Sequence, residues 1–554
     1  MNHSYGRRDF LKMAGLGLAA TVRSPWVQAT APTTTGKKPN FLVIVVDDMG
    51  FSDTGCYGGD IQTPNLDRLA ANGLKFTQFY NAGRCWPSRA CILTGYYAQE
   101  VRRDVSPGVR QGTRPNWARL LPDLLRPQGY RSYHSGKWHL DGTPTEGGFD
   151  RSFDYSDNDH HFLRDKVCAK IEPPLQPVSA EGYYASCAIA DQAIRQLRDH
   201  AEHHVDRPFF EYLAFTEPHF PLQALQEDIN RYRDHYHEGW DVIRQRRWQR
   251  MKTLGLVNCA LPKLDSDIVP GWNLKPEVLK KRIGPGEAAW AVPWEQLTAE
   301  QKEFQAIKMA IHAAMIDRVD REIGRVLEQL KAMNVYDNTA IFFVSDNGAS
   351  AEQMIRGNGH DRTAPLGSAA TFICLGPGWS SAANTPLRLH KSWVHEGGIS
   401  TPLIVHWPEG ITARGEWRHD VGHLVDLAPT LMELASGQWP ETWAGKPVPA
   451  HPGRSLVPAF TKDGSVSRDY LWWSHIGNRA LRVGDWKLVA KGKTGPWELY
   501  DLRTDRCESN NLAAKYPDKV KDLSAWWERS QDEFRAQALT GGSTAKQSKH
   551  GETE

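Results

Sequence analysis

Cys85 opens the run Cys85-Trp86-Pro87-Ser88-Arg89-Ala90-Cys91-Ile92-Leu93-Thr94-Gly95. A lone cysteine is ordinarily a small buried hydrophobe. Here a proline, an arginine and a closing Thr-Gly stand at set offsets from it, which argues for chemistry. Pro87 suits the first turn of a helix, where no backbone N–H is needed. A helix starting there aims its N-terminal dipole at position 85, and an anion is welcome at that end. Arg89 falls within the first turn or so, where its charge can stabilise and restrain a nucleophile at position 85.

Two further pairs offer oxygen ligands. Phe41-Leu42-Val43-Ile44-Val45-Val46 ends in Asp47-Asp48, and Ala340-Ile341-Phe342-Phe343-Val344-Ser345 ends in Asp346-Asn347. Each acid alone reads as a helix cap or a solvated turn. Two such pairs, each closing an apolar strand, point to a cation site. An all-oxygen set favours Ca²⁺ or Mg²⁺ over Zn²⁺.

Basic and imidazole groups follow at three places. Lys137 and His139 are two residues apart, so on an extended segment they share a face. His219 follows the apolar run Phe209–Phe215 in Glu217-Pro218-His219-Phe220-Pro221. Lys391 closes Thr385-Pro386-Leu387-Arg388-Leu389-His390-Lys391, with His395-Glu396-Gly397-Gly398 beyond it. Singly, each reads as a solvated surface group or a packing histidine.

Together these segments resemble the type I sulfatases of the alkaline-phosphatase superfamily. The matches are C-x-P-S-R with L-T-G, V-D-D, S-D-N-G, G-Y-x-S with G-K-W-H, P-H-x-P and T-P-x-R-x-x-K. They appear in family order from Pro39 to about Ala514, and no catalytic position is missing. The resemblance is closest to bacterial arylsulfatases, notably around Arg231-Tyr232 and Val394–Trp407.

The resemblance implies that Cys85 is oxidised to formylglycine by a maturation enzyme. It makes Asp47, Asp48, Asp346, Asn347 and position 85 ligands of Ca²⁺, with Mg²⁺ the second choice. In the implied reaction one hydroxyl of the aldehyde hydrate attacks sulfur. Lys137 and Lys391 hold the sulfuryl oxygens, and His219 assists the leaving alcohol or phenol. The second hydroxyl then yields a proton, with His139 as its acceptor, and sulfate departs. Two rivals stand beside this reading. A formylglycine-dependent phosphate or phosphonate ester hydrolase is disfavoured by Asn347, a weak zinc ligand, and by the two lysines. A non-catalytic sulfate-glycan binding protein would require Cys85 to stay unoxidised.

The elements that must position these groups are those of an α/β protein. Alternating apolar runs and helices predict a large mixed central sheet sandwiched by helices, with ligands at its carboxyl edge. Further strands are expected at 131–135, 209–215, 371–375 and 402–407, and helices at 65–72, 304–333 and 424–434. Residues 32–445 are assigned to this catalytic domain. The Arg-, Trp- and Pro-rich stretch 226–298 reads as an insertion over the site, with Arg231 to Trp294 the candidate wall that selects substrate. Residues 446–540 read as a smaller antiparallel sheet plus a closing helix from Pro517, and 541–554 as a disordered tail.

Residues 1–31 read as a twin-arginine export signal, from Arg7-Arg8-Asp9-Phe10-Leu11-Lys12, the apolar stretch Met13–Ala20 and Ala29-Thr30-Ala31. That implies the Tat translocon as a partner and an exported, periplasmic or extracellular enzyme. The 554 residues carry a net charge of only +2 and no sustained basic stripe, which excludes nucleic acid as the expected partner. Setting Cys85 aside from the 8 cysteines leaves an odd, irregularly spaced set. That is no disulfide framework, though a single bridge is compatible with it.

Overall fold

The computed structural model describes residues 37–155, 160–162, 170–172, 182–357 and 359–542. The twin-arginine segment and residues 543–554 lie outside the described residues.

The frame that carries the site is a mixed sheet of nine strands among the described residues. In chain order they are β1 (Asn40–Val46), β2 (Leu74–Tyr80), β3 (Arg131–Gly136), β4 (Arg151–Asp154), β5 (Lys170–Glu172), β6 (Phe209–Ala214), β7 (Thr339–Ser345), β8 (Ser400–His406) and β9 (Glu416–His423). Their spatial order is β5-β4-β3-β6-β1-β7-β8-β2-β9. β1 lies at the centre, parallel to both β6 and β7. Val46 is registered with Ser345, so Asp47 and Asp346 leave the same edge side by side. β8 runs antiparallel to β7 and β2.

The continuous apolar run of β1 is what burial on both faces requires. Leu42, Ile44 and Val46 join one core, while Phe41, Val43 and Val45 join the other. Each such side chain contributes about 1.5–3 kcal/mol when withdrawn from water. The first core is covered by helices Pro64–Ala71, Ala185–His203 and Ala299–Ala332. The second is covered by helices Cys85–Thr94 and Leu427–Leu434, and by a four-stranded antiparallel sheet. That sheet comprises Leu471–His475, Asn478–Val483, Trp486–Ala490 and Glu498–Asp501, followed by helix Pro517–Leu539.

Several expectations need correction. The expected strand 371–375 is irregular chain. Its groups bond within loops, as in Leu222 N–H to Ile373 O (2.8 Å) and Phe372 N–H to His360 Nδ1 (3.0 Å). The long helix starts at Ala299, five residues before Phe304, because Thr298 and Gln301 form a capping box. Strands β2, β4, β5 and β9 and helix Ala185–His203 were not anticipated.

The stretch 226–298 folds as helices Gln226–Asn230, Gly239–Thr253 and Pro276–Arg282 joined by irregular chain. Trp240 and Trp294 are buried, with ring centroids 4.8 Å apart, and both pack on Trp379. Most of this segment's aromatic bulk is therefore core. A disulfide joins its Cys259 to Cys507, beyond the small sheet. No helix among the described residues is long and apolar enough to cross a membrane.

Candidate active site

The site lies at the carboxyl edge of β1 and β7. Asp47 follows β1 directly, and Asp48 takes a left-handed φ of 66° that turns the chain off the sheet. That conformation is uncommon for a residue with a Cβ. Asn347 Nδ2 donates to Asp48 Oδ1 at 2.6 Å, and the Asp48 N–H points to Asp346 Oδ1 at 3.4 Å. The two strand ends are thereby locked together.

Helix Cys85–Thr94 brings Cys85 to this edge, with Pro87 in its first turn as expected. It closes at Gly95 (φ 75°), whose N–H bonds Cys91 O, so the final glycine of the motif is a left-handed cap. Arg89 is fully buried. Its guanidinium donates to Asp346 Oδ2 at 2.8 and 3.0 Å and to Lys137 O at 2.9 Å, and lies 3.7 Å from Asp47. It acts here as a brace between strand ends.

Lys137 leaves β3 after Gly136, where φ is 116° and a Cβ would stand 1.9 Å from Ala214 O. Only glycine allows that approach. The Lys137 ammonium pairs with Asp47. β3 ends at Gly136, and His139 has a left-handed φ of 55°, so an extended strand does not explain the Lys137–His139 placement. The His139 ring lies 5.7 Å from Trp86, and its buried Nδ1 has no partner among the described residues.

His219 stands five residues past β6, on a loop held by Glu217. That carboxylate accepts from Ser186 N–H (3.0 Å), and the loop backbone accepts from Asp47 N–H (3.1 Å). His219 Nδ1 lies 2.6 Å from Phe220 O, which assigns the ring proton to Nδ1. Nε2 then faces Asp48 Oδ2 at 3.8 Å. Lys391 Nζ lies 2.8 Å from Asp48 and 3.3 Å from Glu352. The structure thus brings Asp47, Asp48, Cys85, Arg89, Lys137, His139, His219, Asp346, Asn347 and Lys391 into one cluster, buried except for the half-buried His139.

The electrostatics suit a cation. Burial pushes Asp346 up to about 7, with help from the charge of Asp47 and against Arg89. Burial also raises Asp48, against the pull of Lys391. At Asp47 burial opposes ionisation, but Lys137, Arg89 and Lys391 outweigh it and hold the carboxyl well below its usual range. Asp47 Oδ1 and Asn347 Oδ1 are buried oxygens without a hydrogen-bond donor among the described residues. Unpaired buried oxygens beside carboxylates that resist a shared charge fit a hard divalent ion. Ligand atoms of Asp47, Asp48 and His219 also lie within 4.8 Å of one another, an imidazole that the strand-end motifs did not nominate as a ligand.

Burial raises the Cys85 thiol, against Lys137 and Lys391. Burial lowers both His219 and His139, reinforced by Lys391 at the first and Lys137 at the second. Burial thus disposes both rings toward the neutral form.

Other participants were missed. Glu352 is buried against Lys391 and Arg84. His475, from the small sheet, lies 5.6 Å from the Trp86 ring and pairs with Asp104 at 2.8 Å. His395 and Glu396 tie that sheet to the site. Glu396 pairs with Lys487 (2.9 Å) and Arg506 (3.3 Å), while His395 lies 3.4 Å from Glu498.

A family model described as Sulfatase matches residues 39–437, and one described as N-sulphoglucosamine sulphohydrolase, C-terminal, matches 388–531. A Schizosaccharomyces pombe protein described as an uncharacterized sulfatase is 35% identical, covering 89% of this chain and 93% of that protein. The arylsulfatase of Klebsiella aerogenes is 30% identical, covering 76% and 91%. The solved structure of Ps i-CgsB in complex with k-i-k-neocarrahexaose has a TM-score of 0.63 at 23% identity, covering 91% of this chain and 95% of that one. That last likeness bears on the fold. The chain belongs to the sulfatase family and is a sulfuric ester hydrolase.

Proposed function

We propose that the protein hydrolyses aryl sulfates or sulfated carbohydrates to a phenol or alcohol and inorganic sulfate, using a formylglycine made from Cys85 and a bound Ca²⁺. One observation carries this reading: Cys85 opens a helix in the field of Lys137, Lys391, Asp47 and Asp346. The hydrated aldehyde at position 85 would supply one hydroxyl to attack sulfur and a second to expel sulfate. Ca²⁺, held by Asp47, Asp48, Asp346 and Asn347 with position 85, would supply positive charge beside the sulfuryl oxygens.

The remaining work falls to the chain's own side chains. Lys137 and Lys391 hold sulfate oxygens, and such fixed charge is usually the largest catalytic term. Arg89 keeps Asp346 and the end of β3 in place. His219 presents Nε2 to the leaving oxygen. The negative charge of a bound sulfate ester, with Asp48, favours the protonated ring that donation requires. His139 Nδ1 is the open acceptor for the proton released as the second hydroxyl collapses.

The paired arginines at Arg7-Arg8 and the Ala29-Thr30-Ala31 site support export through the Tat translocon to the periplasm or beyond. A formylglycine-generating enzyme is then the maturation partner.

The reading is tested with protein from its own host, assayed on p-nitrophenyl sulfate and p-nitrophenyl phosphate. The expected result is preferred release of sulfate. Faster release of phosphate would replace this reading with a phosphate ester hydrolase.

A further inference from the structure

The stretch 226–298 reaches the active site at the segment around Trp272. Its neighbours are clamped to the chain just past β7. Asn273 Nδ2 donates to Ala351 O (3.0 Å), Asn273 Oδ1 accepts from Gln353 N–H (3.0 Å), and Leu274 N–H donates to Gln353 O (2.9 Å). Trp272 itself is 42% exposed, unlike the buried Trp240 and Trp294. Its Nε1–H donates to Glu352 Oε1 at 2.8 Å.

Glu352 also lies 3.3 Å from Lys391 and 3.4 Å from Arg84. Arg84 immediately precedes Cys85. Its guanidinium stands 5.4 Å from the Trp272 ring centroid and 4.9 Å from that of Trp86, and it donates to Ser392 Oγ at 2.7 Å. One buried carboxylate therefore fixes both a lysine assigned to sulfate and the polar edge of an exposed indole.

We propose that Trp272 is the platform on which the leaving group's ring stacks while Lys137 and Lys391 hold the sulfate. This rests on the sulfatase reading and adds the residue that favours its ring-bearing esters, of a flat aryl ring or a pyranose, over those of a short alkyl chain. Both ring types present an apolar face, and an indole offers a large apolar surface with a polar edge that needs a partner. Here that partner is already in place. The indole is held before substrate arrives, so little side-chain freedom remains to be lost on binding. Glu352 is a positioning residue for this platform, acting through Trp272 and Lys391.

The test measures KM and kcat for p-nitrophenyl sulfate, and the inhibition constant of inorganic sulfate, with wild type, Trp272→Ala and Trp272→Phe. Trp272→Ala is expected to raise KM about tenfold, the scale of one aromatic contact. The inhibition constant of ringless sulfate should stay within about twofold, and Trp272→Phe should recover most of the loss. An unchanged KM in Trp272→Ala would overturn the proposal. So would a parallel rise in the sulfate constant, which would mark a structural role through Glu352. If wild type released no sulfate from the ester, the sulfatase reading itself would fall and this proposal with it.

Discussion

Cys85→Ser protein, verified as unmodified, is expected to lose multiple turnover by about 10⁴-fold or more, the scale on which removal of a nucleophile acts. The reason is discharge rather than attack. A serine at the start of helix Cys85–Thr94 would still sit among Lys137, Lys391 and the carboxylates. A sulfate ester formed on it would have no second hydroxyl to push sulfate out. Serine is close in size to cysteine, and position 85 is only 3% exposed, so the fold should survive. Steady-state sulfate release, with a melting curve as control, checks this. Full multiple-turnover rates from the serine variant would refute the scheme.

Asp47→Asn is expected to cost about 10²–10³ in kcat, comparable to removing a preorganised electrostatic contact. It should also abolish stabilisation by Ca²⁺. In the wild type, a cation that satisfied Asp47 Oδ1 and Asn347 Oδ1 and offset the crowded carboxylates would bind the folded state alone. Added Ca²⁺ should then raise the melting temperature, by about 2.7 kcal/mol of stability at a hundredfold excess over Kd. Chelation should remove activity, and Ca²⁺ should restore it better than Mg²⁺. A chelated enzyme with full activity, and no melting shift with Ca²⁺, would remove the metal from the account.

What was legible in the sequence follows from where the chemistry sits. Asp47, Asp48, Asp346 and Asn347 directly follow apolar strands, so strand and ligand are read in one pass. Cys85, Pro87, Arg89 and Gly95 mark one helix with a defined start and stop. Helix Ala185–His203 carried a usable signal in Ala188, Ile189, Ala193 and Leu197, which are buried at helical spacing.

Strand β2 was harder to see. An irregularity in its pairing between Phe76 and Phe79 breaks the two-residue period, so Phe76 and Thr77 are both buried. The run 371–375 misled in the opposite sense. It is apolar and buried, yet it fills space between loops instead of joining the sheet.

Glu352, Trp272 and His475 carry no local motif. They reach the site through tertiary packing of the insertion and the small sheet, which one-dimensional spacing does not encode. Arg84 lies inside the most informative run of the chain. Its partners, Ser392, Glu352 and Trp272, are distant in sequence, and only folding reveals its place.

The central claim is that position 85 is an aldehyde in the working enzyme. The most direct measurement is the mass of the tryptic peptide 85–89 from active protein made in its own host. Conversion exchanges one sulfur and two hydrogens for one oxygen, so the account predicts a lighter peptide in proportion to activity. Only the thiol form in protein that turns over sulfate esters would contradict it.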